Sequence, residues 1–208
     1  MKREEKVQCS KERIIDAAME EFGANSYDMA SLNNICNDNA ISKGLVYHYY
    51  GNKDDLYLSC VKVCFEKFTN FLAEESYHFS DIQCGMNQYF ARRFLFFHNY
   101  PREGGLFFYT VLQPPKHLVQ QLQELRKDFD AQCIFYYKEA LKHITLREGI
   151  AEQEALEYFT VFQEVFHEYF QRNKETGADV SILMKAHEAQ LSKTLNMMLY
   201  GIAKEEIK

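Results

Sequence analysis

One stretch of the sequence combines hydrogen-bond donors with a complete absence of acidic residues. Residues 40–53 read AISKGLVYHYYGNK, whereas the whole chain carries a net charge of −6. Hydroxyl, imidazole and ammonium groups donate hydrogen bonds to phosphate oxygens, and a surface without carboxylates does not repel a phosphate backbone. The overall charge gives no long-range attraction to nucleic acid. Any binding must therefore be local, through Ser42, Lys43, Tyr47, His48 and Lys53.

Two short helices are predicted to position these side chains. Ser31 can cap the first helix, and Ser42, eleven residues later, can cap a second one that extends to about Tyr49. Ile41 and Val46 have the spacing of inward-facing residues. Two short helices joined by a turn of three or four residues are typical of a helix-turn-helix unit. The outward face of the second helix would then carry Ser42, Lys43, Gly44, Leu45, Tyr47 and His48.

These residues resemble the N-terminal domain of the tetracycline-repressor (TetR) family of bacterial transcription regulators. The resemblance extends from about residue 11 to residue 61 and rests on RIIDAAMEEF, SLNNIC and AISKGLVYHYYGNKDDLY. It implies a helix-turn-helix DNA-binding domain over residues 1–55 and an effector-binding and dimerisation domain over residues 56–208. It also implies a homodimer that binds a palindromic double-stranded operator, with DNA affinity altered by a small molecule. The implied DNA contacts are Ser31, Ser42, Lys43, Gly44, Leu45, Tyr47, His48 and Lys53.

The sequence departs from the family pattern at three positions. Ala40 occupies the place of a turn glycine, although the left-handed conformation of such turns favours glycine. Leu45 stands where a threonine is common, which exchanges a hydrogen bond for an apolar contact, for example with a thymine methyl group. Ala30 replaces a hydroxyl residue before the first of the two helices, so that Ser31 is left as the cap. These differences concern the operator sequence and leave the docking mode unchanged.

Helical periodicity continues through the rest of the chain, which only three prolines interrupt. The sequence predicts an all-α fold of about nine helices. A three-helix bundle that contains the helix-turn-helix comes first, and a larger C-terminal helical bundle follows. The first helix is predicted to begin at Ser10 as its N-cap. The fourth is predicted to begin at Lys53, where Asp54 and Asp55 complement the helix dipole.

Aromatic residues crowd the C-terminal two thirds of the chain. Each single ring is explained by a filled core, whereas together the rings could line a cavity for a small apolar or aromatic effector. The helix predicted over residues 151–172 is apolar around most of its circumference, so it should bury a second surface. The resemblance implies that the last two helices form this homodimer interface. The predicted cavity wall consists of Phe94, Phe97, Phe108, Tyr136, Phe162 and Phe166.

The sequence shows no arrangement typical of an enzyme or of a metal protein. No nucleophile–base set or phosphate-binding glycine loop is recognisable, and Glu164 with His167 has ligand spacing but no matching pair. We therefore expect no catalysis, no metal and no cofactor. Six cysteines without a framework spacing indicate reduced thiols. The lack of a signal peptide and of a long apolar run predicts a cytoplasmic protein without a membrane segment.

Two other functions are compatible with these patterns. A helical enzyme or ligand carrier would use the aromatic cavity alone and would not retard promoter DNA. A structural dimer or adaptor would keep the fold without binding DNA. The second alternative draws support from the charge of residues 1–57, which contain seven Lys and Arg against ten Asp and Glu.

Overall fold

The computed structural model of the protein describes residues 3–79, 82–172 and 180–203. Within these ranges the chain forms nine α-helices and a short 3-10 helix, Lys116–Leu118, and its β-structure is limited to one bridge between Leu146 and Ala203. The prediction of an all-α fold is confirmed. None of the described helices has the length and apolar character needed to cross a membrane. The α-helices are α1 (Arg3–Ala24), α2 (Leu32–Asp38), α3 (Lys43–Tyr50), α4 (Lys53–Ala73), α5 (Ile82–Asn99), α6 (Pro101–Leu112), α7 (Val119–Leu141), α8 (Glu152–Arg172) and α9 (Val180–Ile202).

The first helix begins earlier than predicted. α1 starts at Arg3, and Ser10 lies inside it, where its hydroxyl donates to the carbonyl oxygen of Lys6 at 2.8 Å. Most residues before Ser10 are good helix formers, and Glu4 and Glu5 place negative charge in the first turn. The prediction that Ser10 is the N-cap is therefore wrong, because a serine inside a helix can bond back to the preceding turn.

The chain folds into two compact units. The first consists of Met1–Lys67 and Tyr100–Arg126, and the second of Phe68–Asn99 and Lys127–Lys208. Helices α4 and α7 each contribute residues to both units. The division into functional domains between residues 55 and 56 stays a prediction. The boundaries of the compact units differ from this predicted division. Helix α6 packs against α1 and therefore belongs to the first unit, although it lies beyond residue 55.

In the first unit, α6 and α1 approach each other closely. A Cβ atom at Gly105 would overlap the carbonyl oxygen of Gly23, so the two backbones touch where side chains are absent. The buried carboxylate of Glu103 in α6 accepts a hydrogen bond from the Lys67 ammonium at 2.6 Å. These contacts attach α6 to the helices that surround the predicted helix-turn-helix.

The second unit has an aromatic core and a buried ion pair. The ring of Phe68 lies 4.6 Å from that of Phe96 and 4.9 Å from that of Phe97. Arg93 in α5 donates to both carboxylate oxygens of Glu188 in α9, at 2.8 and 2.7 Å. Removing one partner of such a pair costs about 3–5 kcal/mol, because the other charge stays buried without compensation. The pair therefore holds α9 against α5.

Helices α8 and α9 each leave apolar side chains exposed. Those of α8 recur at three- and four-residue spacing and so form a stripe along one face of the helix. Contiguous apolar surface of this kind marks an interaction site more often than a free surface. The exposed residues are Tyr158, Val161, Val165 and Tyr169 on α8, and Ile182, Met197 and Tyr200 on α9.

Candidate functional site

Serine residues cap both helices of the predicted helix-turn-helix, α2 and α3. The hydroxyl oxygen of Ser31 accepts from the backbone N–H of Asn33 at 3.1 Å, and that of Ser42 accepts from the N–H of Leu45 at 3.2 Å. Four residues, 39–42, join the helices. The hydroxyl hydrogens are not used in these capping bonds, so each serine can still donate to a phosphate oxygen.

A carboxylate from α1 holds the start of α2. Glu21 accepts from the backbone N–H of Ser31 at 2.8 Å and from the side-chain amide of Asn34 at 3.1 Å. Its negative charge also lies where the positive end of the α2 dipole favours it. No sequence pattern indicated this role, because Glu21 precedes the cap by ten residues.

The turn between α2 and α3 contains an alanine in the left-handed region. Ala40 has a φ angle of 51°, the positive value that the missing family glycine would adopt without strain. For a residue with a Cβ atom this conformation costs about 1–2 kcal/mol. Arg13 of α1 compensates in part, because its guanidinium donates to the carbonyl oxygen of Asn39 at 2.7 Å. The backbone of the turn is therefore strained at Ala40, and the hydrogen bond from Arg13 of α1 stabilises it.

One side of α3 is open and carries no acidic residue. A Cβ atom at Gly44 would meet no atom within 4 Å, so the first turn presents bare backbone. Val46 is buried and anchors the opposite side, Leu45 is partly buried, and 51% of Tyr47 is exposed. The role of these side chains in DNA binding stays a prediction. The exposed predicted contacts at α3 are Ser42, Lys43, Gly44, Tyr47 and His48.

Lys53, the first residue of α4, is held by Tyr27. Its ammonium donates to the carbonyl oxygen of Tyr27 at 2.6 Å and lies 4.3 Å from the centroid of the same ring. Burial lowers the pKa of Lys53, and the carboxylates of Asp28 and Asp54 partly oppose this shift. The surroundings of Lys53 thus contain acids, although residues 40–53 do not. An ammonium has three donors, so two can still reach a phosphate.

Asp54, the second residue of α4, connects Tyr27 to the segment that follows α6. Its carboxylate accepts from the Tyr27 hydroxyl and lies 3.2 Å from Nε2 of His117. The rings of Tyr27 and His117 meet edge to face, with centroids 5.5 Å apart. Neither aromatic partner is indicated by the sequence, because Tyr27 and His117 lie 27 and 63 residues from Asp54 and local patterns do not report such contacts.

Five of the six residues predicted to line an effector cavity do not line the cavity found between α5, α7, α8 and α9, and three of these five lie on α5 and α6. Phe108 belongs to the first compact unit. Phe94 is exposed, and Phe97 is buried in the core against Phe68. Phe97 and Phe108 are thus packed in the protein interior, whereas Phe94 lies at the surface.

A cavity of the second unit lies between α5, α7, α8 and α9. It contains about 350 Å³ of space, including the part that is open to solvent. Tyr136 of the predicted set lines it, whereas Phe162 and Phe166 lie on α8 outside the lining, with ring centroids 5.6 Å apart. Tyr137 and Phe159, which are not in the predicted set, also line the cavity.

Part of the sequence matches known regulators. Residues 14–60 match the family described as bacterial regulatory proteins, tetR family. Over 62 residues the chain is 37% identical to the biofilm operon icaADBC HTH-type negative transcriptional regulator IcaR of Staphylococcus epidermidis. This match covers 30% of the present chain and 34% of the relative, so it spans about a third of each protein.

Solved structures resemble a much larger part of the chain at low identity. A TetR family transcriptional regulator from Chloroflexus aurantiacus has a TM-score of 0.59 and 19% identity over 95% of both chains. A transcriptional regulator from Rhodococcus has a TM-score of 0.64 and 16% identity, with coverage of 94% of this chain and 99% of the other. FadR from Bacillus subtilis, in complex with stearoyl-CoA, has a TM-score of 0.58 and 18% identity, with coverage of 87% and 97%. At these identities the likeness concerns the fold.

The fold and the site together define an all-helical protein with a serine-capped helix-turn-helix near its N-terminus. Its residues 14–60 are similar to the TetR family of bacterial regulatory proteins, and the whole chain shares the fold of solved TetR family structures.

Proposed function

We propose that the protein is a cytoplasmic transcriptional repressor that binds a palindromic operator as a homodimer. The observation that carries this proposal is the open, acid-free side of α3. It is anchored by the buried side chain of Val46 and begins at Ser42, whose hydroxyl oxygen caps the backbone N–H of Leu45. Inserted into a major groove, this side offers Tyr47 and His48 to the DNA, and Lys43 to a phosphate. The negative regulator IcaR, which is 37% identical to this chain over 62 residues, supports the direction of control.

The homodimer is proposed to form through the exposed stripes of α8 and α9. Val161 and Val165 lie at the middle of the α8 stripe, and Tyr158 and Tyr169 at its ends. A twofold axis would place each stripe against its own copy, which gives an isologous interface. Two copies of α3 could then reach half-sites one helical turn of DNA apart, a spacing of about 34–36 Å.

A small molecule in the second unit is proposed to alter DNA affinity. The proposed site is the cavity lined by Tyr136 and Tyr137. FadR from Bacillus subtilis, a protein of similar fold, was solved in complex with stearoyl-CoA, which supports a ligand in this unit. A ligand that favours a dimer with a different α3 spacing would weaken operator binding, and DNA would weaken ligand binding by the same factor.

Selection of bound sequences from random double-stranded DNA tests this function directly. The full chain should enrich a palindrome whose half-sites are about one helical turn apart. A variant with Lys43→Ala and Tyr47→Ala should enrich nothing, whereas Lys62→Ala, at an exposed lysine of α4, should enrich the same palindrome. The proposal fails if the chain enriches no sequence at low salt, or if the α3 variant enriches the same one.

The dimer is tested separately by sedimentation velocity. Val165→Glu places a charge in the proposed interface and should convert the dimer to a monomer, because a buried unpaired charge is costly. Val63→Glu, at an exposed valine of α4, serves as the matched control and should leave the dimer intact. A dimeric Val165→Glu protein would exclude this face as the interface.

A further inference from the structure

A carboxylate of α1 acts on two of the predicted DNA contacts, Ser31 and Lys53. Glu21 accepts a hydrogen bond from the backbone N–H of Ser31 at 2.8 Å. Its charge also reaches Lys53, since burial lowers the pKa of Lys53 and the charges of Asp28, Asp54 and Glu21 oppose this shift. Glu21 therefore belongs to the surroundings of both side chains, although residues 40–53 contain no acid.

The hydrogen bonds of Glu21 attach the start of α2 to α1. In a capping box, a Glu or Gln three residues after the N-cap accepts from the backbone N–H of the N-cap residue. The residue at that place is Asn34, and its amide donates instead to Glu21 at 3.1 Å. Glu21 thus supplies the acceptor from a neighbouring helix and orients Ser31, the N-cap of α2. Both bonds go to Oε1 of Glu21, so an uncharged amide oxygen at the same place could accept them.

The charge of Glu21 has a separate and opposite effect on DNA binding. A phosphate that accepts from the Ser31 hydroxyl would lie about two hydrogen-bond lengths, roughly 6 Å, from the carboxylate. This separation is shorter than the screening length of about 8 Å at physiological salt, so the two negative charges repel each other. The carboxylate also reduces the attraction between Lys53 and a phosphate. Because phosphates are the same in every sequence, this cost applies to all duplexes.

We propose that Glu21 is a positioning residue with two opposing effects on DNA affinity. Its hydrogen bonds hold Ser31 and α2 in place for the phosphate backbone, and its negative charge weakens binding to any duplex. The inference rests on the proposed function, in which this region binds DNA. It adds a residue outside the predicted DNA contacts and gives the sign of its charge effect.

Glu21→Gln separates the two effects, because glutamine keeps the acceptor oxygen and removes the charge. Fluorescence anisotropy of the full chain measures the affinity for two labelled duplexes, one with the operator that selection yields and one of random sequence. At about 0.1 M salt, Glu21→Gln should bind both duplexes about threefold more tightly than the wild type, as expected for one repulsive pair near the protein surface. The gain should become smaller as salt is added, because ions screen the repulsion.

Glu21→Ala removes the charge and the hydrogen bonds together. It should bind both duplexes about fivefold more weakly than Glu21→Gln, which is the contribution of one hydrogen bond. Hydrogen exchange of the Ser31 amide, followed by NMR, reports the positioning directly. Exchange should be faster in Glu21→Ala and stay slow in Glu21→Gln. Glu21→Met, which keeps the apolar stem, replaces Glu21→Ala if that variant does not fold.

Glu66→Gln is the matched control, because it removes the same charge at another place. Glu66 forms an exposed pair with Lys62 on α4. It lies about 20 Å along the helix from Lys53, which is more than two screening lengths. This variant should bind both duplexes as the wild type does. A gain equal to that of Glu21→Gln would show that net charge, and not the place of Glu21, sets the affinity, and would overturn the inference.

Unchanged or weaker binding in Glu21→Gln, or equal binding in Glu21→Gln and Glu21→Ala, would also overturn the inference. Sequence selection by the wild type separates these results from the proposed function. A wild type that selects a palindrome, without a gain in Glu21→Gln, overturns the inference alone. A wild type that selects no palindrome, while Glu21→Gln still gains affinity for random DNA, supports the inference and overturns the operator function. A wild type that binds no duplex at low salt overturns both.

Discussion

Lys53 and Tyr27 are joined by two different contacts. The ammonium of Lys53 donates to the carbonyl oxygen of Tyr27 and also lies over the Tyr27 ring. Tyr27 donates in turn to Asp54, the residue after Lys53. The side chain proposed to contact a phosphate is thus already oriented in the free protein. An oriented side chain loses less conformational entropy when it binds.

Lys53→Met tests this contact, because methionine keeps the apolar stem and removes the ammonium. Affinity should fall alike on all DNA sequences, and the slope of log K against log salt should decrease by about one unit. The variant should also lose about 1 kcal/mol of stability with the Tyr27 contacts. Salt titrations of operator binding measure the slope. Lys62→Met, at an exposed lysine of the same helix, is the control and should not change it. An unchanged slope for Lys53→Met would remove Lys53 from the interface.

Ala40→Gly should stabilise the protein. Ala40 has a positive φ angle, which glycine adopts without the steric cost paid by alanine. The free energy of unfolding, measured in urea, should rise by about 1 kcal/mol. Ala91→Gly, at an exposed position inside α5, is the matched control and should lower it by about 1 kcal/mol. Equal losses in both variants would show that the turn is not left-handed in solution.

The sequence predicted the parts of the site that depend on neighbouring residues. Ser31 and Ser42 act as N-caps, and Val46 faces inward, because capping and helical periodicity are decided within a few residues. The same reasoning gave a wrong N-cap at Ser10, because a serine can also lie inside a helix, where its hydroxyl donates to the preceding turn. Local signals therefore predict which helices exist better than where each one begins.

Contacts between distant segments could not be predicted in this way. Arg13 reaches the turn from 26 residues away, and Tyr27 lies 26 residues before Lys53. The cavity depends on the same kind of contact, because Tyr137 is brought to Phe159 only when α7 packs on α8. The sequence does not distinguish an aromatic residue that lines a cavity from one that fills the core, because both have the same helical spacing.

Gly44→Ala should separate stability from DNA binding. Glycine inside a helix costs about 0.5–1 kcal/mol relative to alanine, and a methyl group at this position meets no neighbouring atom. The variant should therefore unfold at higher urea concentration. Its DNA affinity should fall about fivefold, because the methyl group occupies the space that a close backbone–phosphate contact needs.

Gly201→Ala provides the comparison for this prediction. Gly201 also lies in a helix, α9, with no atom close to its added Cβ. This variant should gain stability and keep its DNA affinity. If Gly44→Ala binds the operator as tightly as the wild type, the backbone of α3 does not approach DNA closely.

Acid should destabilise the protein through the Arg93–Glu188 pair. Burial alone would raise the pKa of Glu188, but the charge of Arg93 and hydrogen bonds from Arg93 and His187 outweigh it and lower the pKa to about 2. The folded state therefore binds fewer protons than the unfolded state below the ordinary carboxyl pKa of about 4.3. The stabilisation from this pair is complete above that pH and is lost as the pH falls towards 2.

Urea unfolding at pH steps between 2.5 and 7 measures this loss. Glu188→Gln should lower the free energy of unfolding at pH 7 by about 3–5 kcal/mol, because Arg93 stays buried and charged, and it should flatten the acid slope. The double variant Arg93→Met/Glu188→Leu removes both charges and should flatten the slope while recovering much of the stability. Glu66→Gln breaks an exposed pair with Lys62 and should cost less than about 1 kcal/mol. If the double variant keeps the wild-type slope below pH 4.3, carboxylates other than Glu188 control the acid transition.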